Sequence, residues 1–171
     1  TYWASYVEAR SYDPGNRYWN GAISYASGTI ANNTTTSGDA HYHIGNYYNW
    51  TAAVAMDNSS AYYGQDVSQS ICPAGWRLPT YSGDKSYSNL VQAQGLTSGY
   101  NGNVQNNPTY FTYSGVWFGN SSVVGNRGFC WSNVSRSNLV AYRLGFFVDG
   151  SINTQSADGR DYGFSVRCVA R

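Results

Sequence analysis

Charge is what this sequence has least of. Only 11% of its 171 residues are Asp, Glu, Lys or Arg, against about 25% in an ordinary soluble domain. A single lysine, Lys85, stands beside nine arginines, and the formal net charge is +1. A nucleic-acid partner needs a concentrated Lys/Arg face to displace counterions, and no basic run exists here, so none is expected. Long apolar runs are also missing. None approaches the roughly 20 residues that span a bilayer as a helix, so no membrane span is expected in this chain. Cysteine is scarce, with Cys72, Cys130 and Cys168 only. Three thiols permit one disulfide and leave one over. Without a C-x-x-C pair they are not expected to ligate a metal. Catalytic signatures are absent too: no G-x-S-x-G, no H-E-x-x-H and no phosphate loop of the G-x-x-x-x-G-K-S type. The chain is read as a non-enzyme.

What fills the space is 17 Tyr and 19 Gly, with many Ser, Asn and Thr, while apolar residues still make up 42%. The length fits one domain, residues 1–171, large enough for a sizeable core. This composition resembles that of a secreted surface protein. The chain begins at Thr1 without methionine, the form expected of a processed mature protein or of a piece of a longer one.

Along the chain, residues 2–12 and 17–25 read as two strands joined by Asp13-Pro14-Gly15-Asn16, which has the Pro-Gly centre of a type II turn. Trp19, Ile23 and Tyr25 alternate onto one face of the second. Residues 28–38 form a polar loop. Asp39, His41 and His43 would share one face if extended, the start of a metal site or, more plainly, a polar strand edge. In residues 45–56, Asn49 is placed to cap a short helix carrying Trp50, Ala53 and Val54 on one side. Asp84 is expected to cap a second helix over residues 85–94, with Tyr87, Leu90 and Val91 as its buried stripe and Gly95 ending it.

Residues 97–108 form a long polar loop of the kind that often carries function. Three strands follow. Residues 110–117 place Phe111, Tyr113 and Trp117 on one side. Residues 139–148 align Val140, Tyr142, Leu144, Phe146 and Val148, and residues 162–169 align Tyr162, Phe164, Val166 and Cys168. A short fourth strand, 128–132, carries Phe129 and Trp131. With loops at 118–127 and 149–161, the pattern is an α+β fold of short antiparallel sheets, two helices and long irregular loops.

The most constrained stretch is Ser70-Ile71-Cys72-Pro73-Ala74-Gly75-Trp76-Arg77-Leu78-Pro79-Thr80. Pro73 and Pro79 fix φ and push Cys72 and Leu78 out of the α region. Gly75 permits a bend, and the Trp76 ring prefers burial. Together with Gly45-Asn46-Tyr47-Tyr48-Asn49-Trp50 and Gly163-Phe164-Ser165-Val166-Arg167-Cys168-Val169-Ala170-Arg171, this stretch resembles the Fibrobacter succinogenes major paralogous domain, over about residues 40–171. The resemblance implies a C-type-lectin-like fold shared with formylglycine-generating enzymes, in which residues 41–171 form the family-like body and 1–40 supply N-terminal strands and a loop. It also implies a bacterial surface or secreted protein, with long variable loops at 97–108, 118–127 and 149–161.

Neither relative's activity carries over. The enzymes use a reactive cysteine pair late in the chain, and only Cys168 lies near that region. The calcium motifs of sugar-binding lectins have only Trp131-Ser132-Asn133 as a nearest match, without a Glu-Pro-Asn partner. The motif positions imply a Cys72–Cys168 disulfide. The competing Cys130–Cys168 pair stays open, weakened because Cys130 points opposite the core residues Phe129 and Trp131. Cys130 is then expected as a buried thiol rather than a nucleophile.

Arg77 is expected to clamp backbone carbonyls or an Asp, and Arg167 to act similarly. Asp149, Asp158 and Asp161 bracket one loop and are weak calcium candidates; no other cofactor is expected. The loop set Tyr100, Asn101, Asn103, Gln105, Trp117, Phe118 and Asn120 pairs ring area with amide hydrogen bonding, as antibody loops do. It fits a glycan or a surface protein as partner. The expectation is a non-catalytic extracellular recognition or adhesion module. The alternative is a structural subunit of an extracellular filament or surface layer that packs against copies of itself. Asn-x-Ser/Thr tripeptides occur at Asn32, Asn33, Asn49, Asn58, Asn120 and Asn133.

Overall fold

The longest strand, Arg127–Ser135, is buried at every position after its first residue. A strand buried on both faces must separate two apolar bodies, and this one does. Phe129 and Trp131 point into a cluster with Tyr48, Trp50, Ala53, Val54, Val67, Leu78, Ala141 and Phe164. Cys130 points the opposite way, into a cluster with Tyr87, Val91, Phe111, Leu144, Phe146 and Ile152.

The computed structural model describes residues 22–24, 46–55, 64–96, 111–118, 121–122 and 125–171. In chain order the elements are β1 (Ala22–Ser24), β2 (Asn46–Tyr48), α1 (Trp50–Ala53), β3 (Trp76–Arg77), α2 (Tyr87–Ala93), β4 (Trp117–Phe118), β5 (Ser121–Ser122), β6 (Arg127–Ser135), β7 (Val140–Phe147), β8 (Ile152–Gly159) and β9 (Val169–Ala170). Four antiparallel sheets result: β1-β2, β3-β9, β4-β5 and β6-β7-β8. The fold is α+β, as the sequence pattern indicates.

Both helices follow from their ends. Asn49 is extended and its side chain accepts from the Ala52 amide, which caps α1 as expected. At α2 the cap is Ser86, not Asp84: the Ser86 hydroxyl accepts from the Asn89 amide. The helix starts two residues late because the Ser86 amide donates to Gly83 and Lys85 carbonyl accepts from Thr80, which commits residues 83–86 to a turn. The far end is a Schellman motif. Gly95, at φ +69°, donates to Gln92, and Leu96 donates to Val91.

Several strand expectations are corrected. Residues 149–161 are not a loop, since Ile152–Gly159 is a full strand. Its sequence is polar because it is a sheet edge that buries little beyond Ile152 and Thr154. Residues 162–169 are not one strand. Gly163, Phe164 and Ser165 make single bridges to Trp117, Tyr48 and Cys130 in turn, and only Val169–Ala170 forms a ladder. Residues 111–116 are irregular, and the expected strand survives as Trp117–Phe118. The fourth strand is the longest rather than short. Val148 lies exposed in the β7–β8 turn. Residues 2–12, 28–38, Asp39, His41, His43 and 97–108 lie outside the described residues, and of 17–25 only Ala22–Ser24 is described, as a strand.

The threading of 163–165 between three segments explains Gly163. A Cβ there would stand 2.9 Å from the Trp117 Cβ and 3.0 Å from the Tyr47 Cβ. Backbone bonds lock it in place, Trp117 to Gly163 in both directions at 2.9 and 2.7 Å.

Substituting the expected cap, Asp84, and the observed one, Ser86, tests the helix boundary. Ser86→Ala should cost about 1 kcal/mol in denaturant unfolding. Asp84→Ala should stay within about 0.5 kcal/mol of wild type. A larger loss at Asp84 than at Ser86 would restore the sequence-based start.

Candidate functional site

The central stretch folds into a rigid corner. The Trp76 amide donates to the Pro73 carbonyl at 2.9 Å, and Gly75 takes φ +84° to close that turn. β3 then pairs with β9, and Cys72 is bonded to Cys168 across a sequence separation of 96. Closing a loop of that length stabilises by about 4–5 kcal/mol in the chain-entropy model. The open choice between Cys72 and Cys130 as the partner of Cys168 is thereby decided.

Arg77 acts as the expected clamp: its Nε donates to the Leu78 carbonyl at 3.3 Å, and Nη2 lies 4.0 Å from Asp66. Arg171 adds a second clamp, donating to the carbonyls of Trp76 and Ser68 at 3.2 Å each. Arg167 instead lies over the Phe111 ring, 5.1 Å from its centroid. Trp76 departs from expectation. Its backbone is fixed by these ties, yet the residue is 46% exposed, because the two-residue β3 lies on the surface.

The ligand-binding set divides three ways. Tyr100, Asn101, Asn103, Gln105 and Asn120 lie outside the described residues. Trp117 is buried and serves as a backing wall bonded to Gly163. Phe118, next along β4, points outward at 45% exposure, its ring tilted against Tyr162 at 4.4 Å between centroids. Strand alternation puts the two aromatics on opposite faces, one inside and one outside. Tyr162 was expected only as a core-facing strand residue. It contributes one edge to this surface pair because 162–169 does not run as a single strand.

The three calcium candidates do not meet. Asp149 sits in the β7–β8 turn and accepts from the amide and hydroxyl of Ser151. Asp158 is at the other end of β8, paired with Ala141, and its carboxylate holds Arg143 Nε at 2.6 Å. Asp161 is buried beyond the strand end. Among the described residues, no three His, Cys, Asp or Glu side chains converge as a metal-holding group. Among them, too, no helix is long and apolar enough to cross a membrane.

Cys130 is free and buried, as expected. Burial pushes its thiol up to about 12; Arg167 and the Tyr87 hydroxyl pull it down without offsetting that cost. Nucleophilic sulfur chemistry needs the thiolate, so the folded protein holds Cys130 in an unreactive form. Tyr47 and Tyr87 hydroxyls are raised by burial as well. Tyr47 donates to the Ser114 carbonyl and Tyr87 to the Trp131 carbonyl.

No family model, curated protein or solved structure matches this chain.

The thiol gives a prediction with a defined sign. Unfolded, Cys130 ionises near its ordinary value of 9.0; folded, it keeps its proton to about 12. Between those values the folded state holds a proton that the unfolded state has lost, so stability falls as pH rises through that window. At pH 8 the native protein should resist iodoacetamide, and unfolding in guanidinium without reductant should release one reactive thiol. Prompt native labelling at Cys130 would contradict the buried-thiol assignment.

Proposed function

We propose that this chain is a non-catalytic extracellular module that recognises a glycan or a surface protein through aromatic and amide-rich loops. The observation that carries the reading is Phe118, an aromatic ring nearly half exposed and braced by Tyr162 on a strand whose other face is locked to the core. A fixed ring of this kind loses little conformational freedom on binding and stacks well on a sugar face or a partner's apolar patch. The loop residues Tyr100, Asn101, Asn103, Gln105 and Asn120 are proposed to supply hydrogen bonds beside it. A C-type-lectin-like body related to the Fibrobacter succinogenes major paralogous domains is part of the same proposal. The disulfide supports an oxidising, extracellular setting.

A second reading, packing against copies of itself in a filament or surface layer, draws on two exposed apolar residues. Leu139 and Val148 flank the two ends of β7, at 48% and 67% exposure. With few like charges to repel a neighbour, such positions suit a repeated contact.

A glycan array and a panel of surface proteins separate the two. The recognition reading expects wild type to bind a restricted set and Phe118→Ala to bind it roughly ten-fold more weakly with an unchanged unfolding midpoint, the loss of one anchor residue. Blank panels together with concentration-dependent assembly, weakened by Leu139→Ser and Val148→Ser, would favour the second reading instead.

A further inference from the structure

An Asn-x-Ser/Thr tripeptide in an exported protein is ordinarily read as a surface acceptor for a glycan. Asn49-Trp50-Thr51 and Asn133-Val134-Ser135 have this form, and in both the asparagine is wholly buried. Each side-chain amide makes a hydrogen bond inside the protein. Asn49 Oδ1 accepts from the Ala52 amide at 2.9 Å and from the Thr51 hydroxyl at 3.1 Å. Asn133 Nδ2, the atom a glycan would be attached to, donates to the Val67 carbonyl at 2.9 Å. The Asn133 backbone is equally fixed, its amide donating to Pro79 and its carbonyl accepting from Val67. Thr51 and Ser135, whose hydroxyls complete the two tripeptides, are buried as well.

A glycan is bulky and strongly hydrated. Interiors this closely packed have no room for one, and opening them would separate α1 and the 64–67 segment from β6. Attachment and folding therefore exclude each other at Asn49 and Asn133. The Cys72–Cys168 bond, for its part, needs an oxidising compartment. We infer that this chain reaches its oxidising compartment by an export route that does not glycosylate Asn-x-Ser/Thr on unfolded chains, and that Asn49 and Asn133 are bare in the native protein. Two residues that read as modification sites are instead internal fastenings, and a glycosylating route would turn them into folding poisons.

The full chain should be exported by two routes: into a bacterial periplasm without an Asn-glycosylating transferase, and through the endoplasmic reticulum of yeast. Peptide mass mapping and non-reducing gels then score glycan position and disulfide. The periplasmic protein should be folded, linked between Cys72 and Cys168, and bare at both asparagines. In yeast, glycan at Asn49 or Asn133 should occur only in retained, misfolded chains. Abolishing just those two tripeptides with Thr51→Val and Ser135→Ala should raise secreted, folded protein several-fold. Folding of the same double variant in the periplasm shows that the substitutions themselves are tolerated. Folded, secreted protein carrying glycan at either asparagine would overturn the inference. So would wild type secreted in full yield with both sites bare and no gain from the double variant.

Discussion

Two indole rings hold this structure together by bonding across the same gap in opposite directions. Trp131 on β6 donates through Nε1 to the Tyr48 carbonyl at 2.8 Å, and Trp50 at the start of α1 donates back to the Ser132 carbonyl at 2.9 Å. Both rings are fully buried. Each therefore satisfies its own indole N–H, which burial would otherwise strand at about 1–3 kcal/mol; the Tyr48 carbonyl accepts the Phe164 amide as well. Trp131 is also the meeting point of other segments. Its amide donates to Ser165, its carbonyl accepts from the Tyr87 hydroxyl, and its ring packs on Phe164.

Everything else is arranged around that fastening. β6 can be buried on both faces because α1 and β2 close one side and α2 closes the other. The closing segment 163–165 runs beside β6, and the disulfide ties its continuation to the corner at Cys72. Arg160, wholly buried over the Trp50 ring at 4.5 Å, fills the remaining space beneath α1 and accepts the Trp50 amide through its own carbonyl. The result is a body with few two-strand ladders longer than three residues, held by side chain to backbone bonds as much as by sheets.

Legibility in the sequence followed the strength of local constraint. Asn49 as a cap, Gly95 as a helix terminator and the apolar alternation of β7 each depend on neighbours a few residues away, and each was readable. The start of α2 was misplaced because Asp84 has the residue type of a cap, and only the turn at 83–86 moves the helix start on to Ser86. β8 was invisible because a polar edge strand lacks the alternating apolar pattern; its partner β7, not its own sequence, makes it a strand. The break-up of 162–169 was hidden for the converse reason. Its period-2 pattern is real, but each residue answers to a different neighbour. At the site, Phe118 was legible as an aromatic in a loop-like setting, whereas Tyr162 as its brace and the burial of Trp117 depend on contacts across some 45 positions of chain.

Hydrogen exchange at the indole N–H groups tests the central fastening most directly. If Trp50 and Trp131 tie the two halves of the core into one cooperative body, their indole protons should exchange only through global unfolding, within about 1 kcal/mol of the denaturant-derived stability. The half-exposed Trp76 serves as the fast reference in the same spectrum. Exchange of the Trp50 or Trp131 indole at a free energy far below global unfolding would show that the halves part independently and would contradict the account.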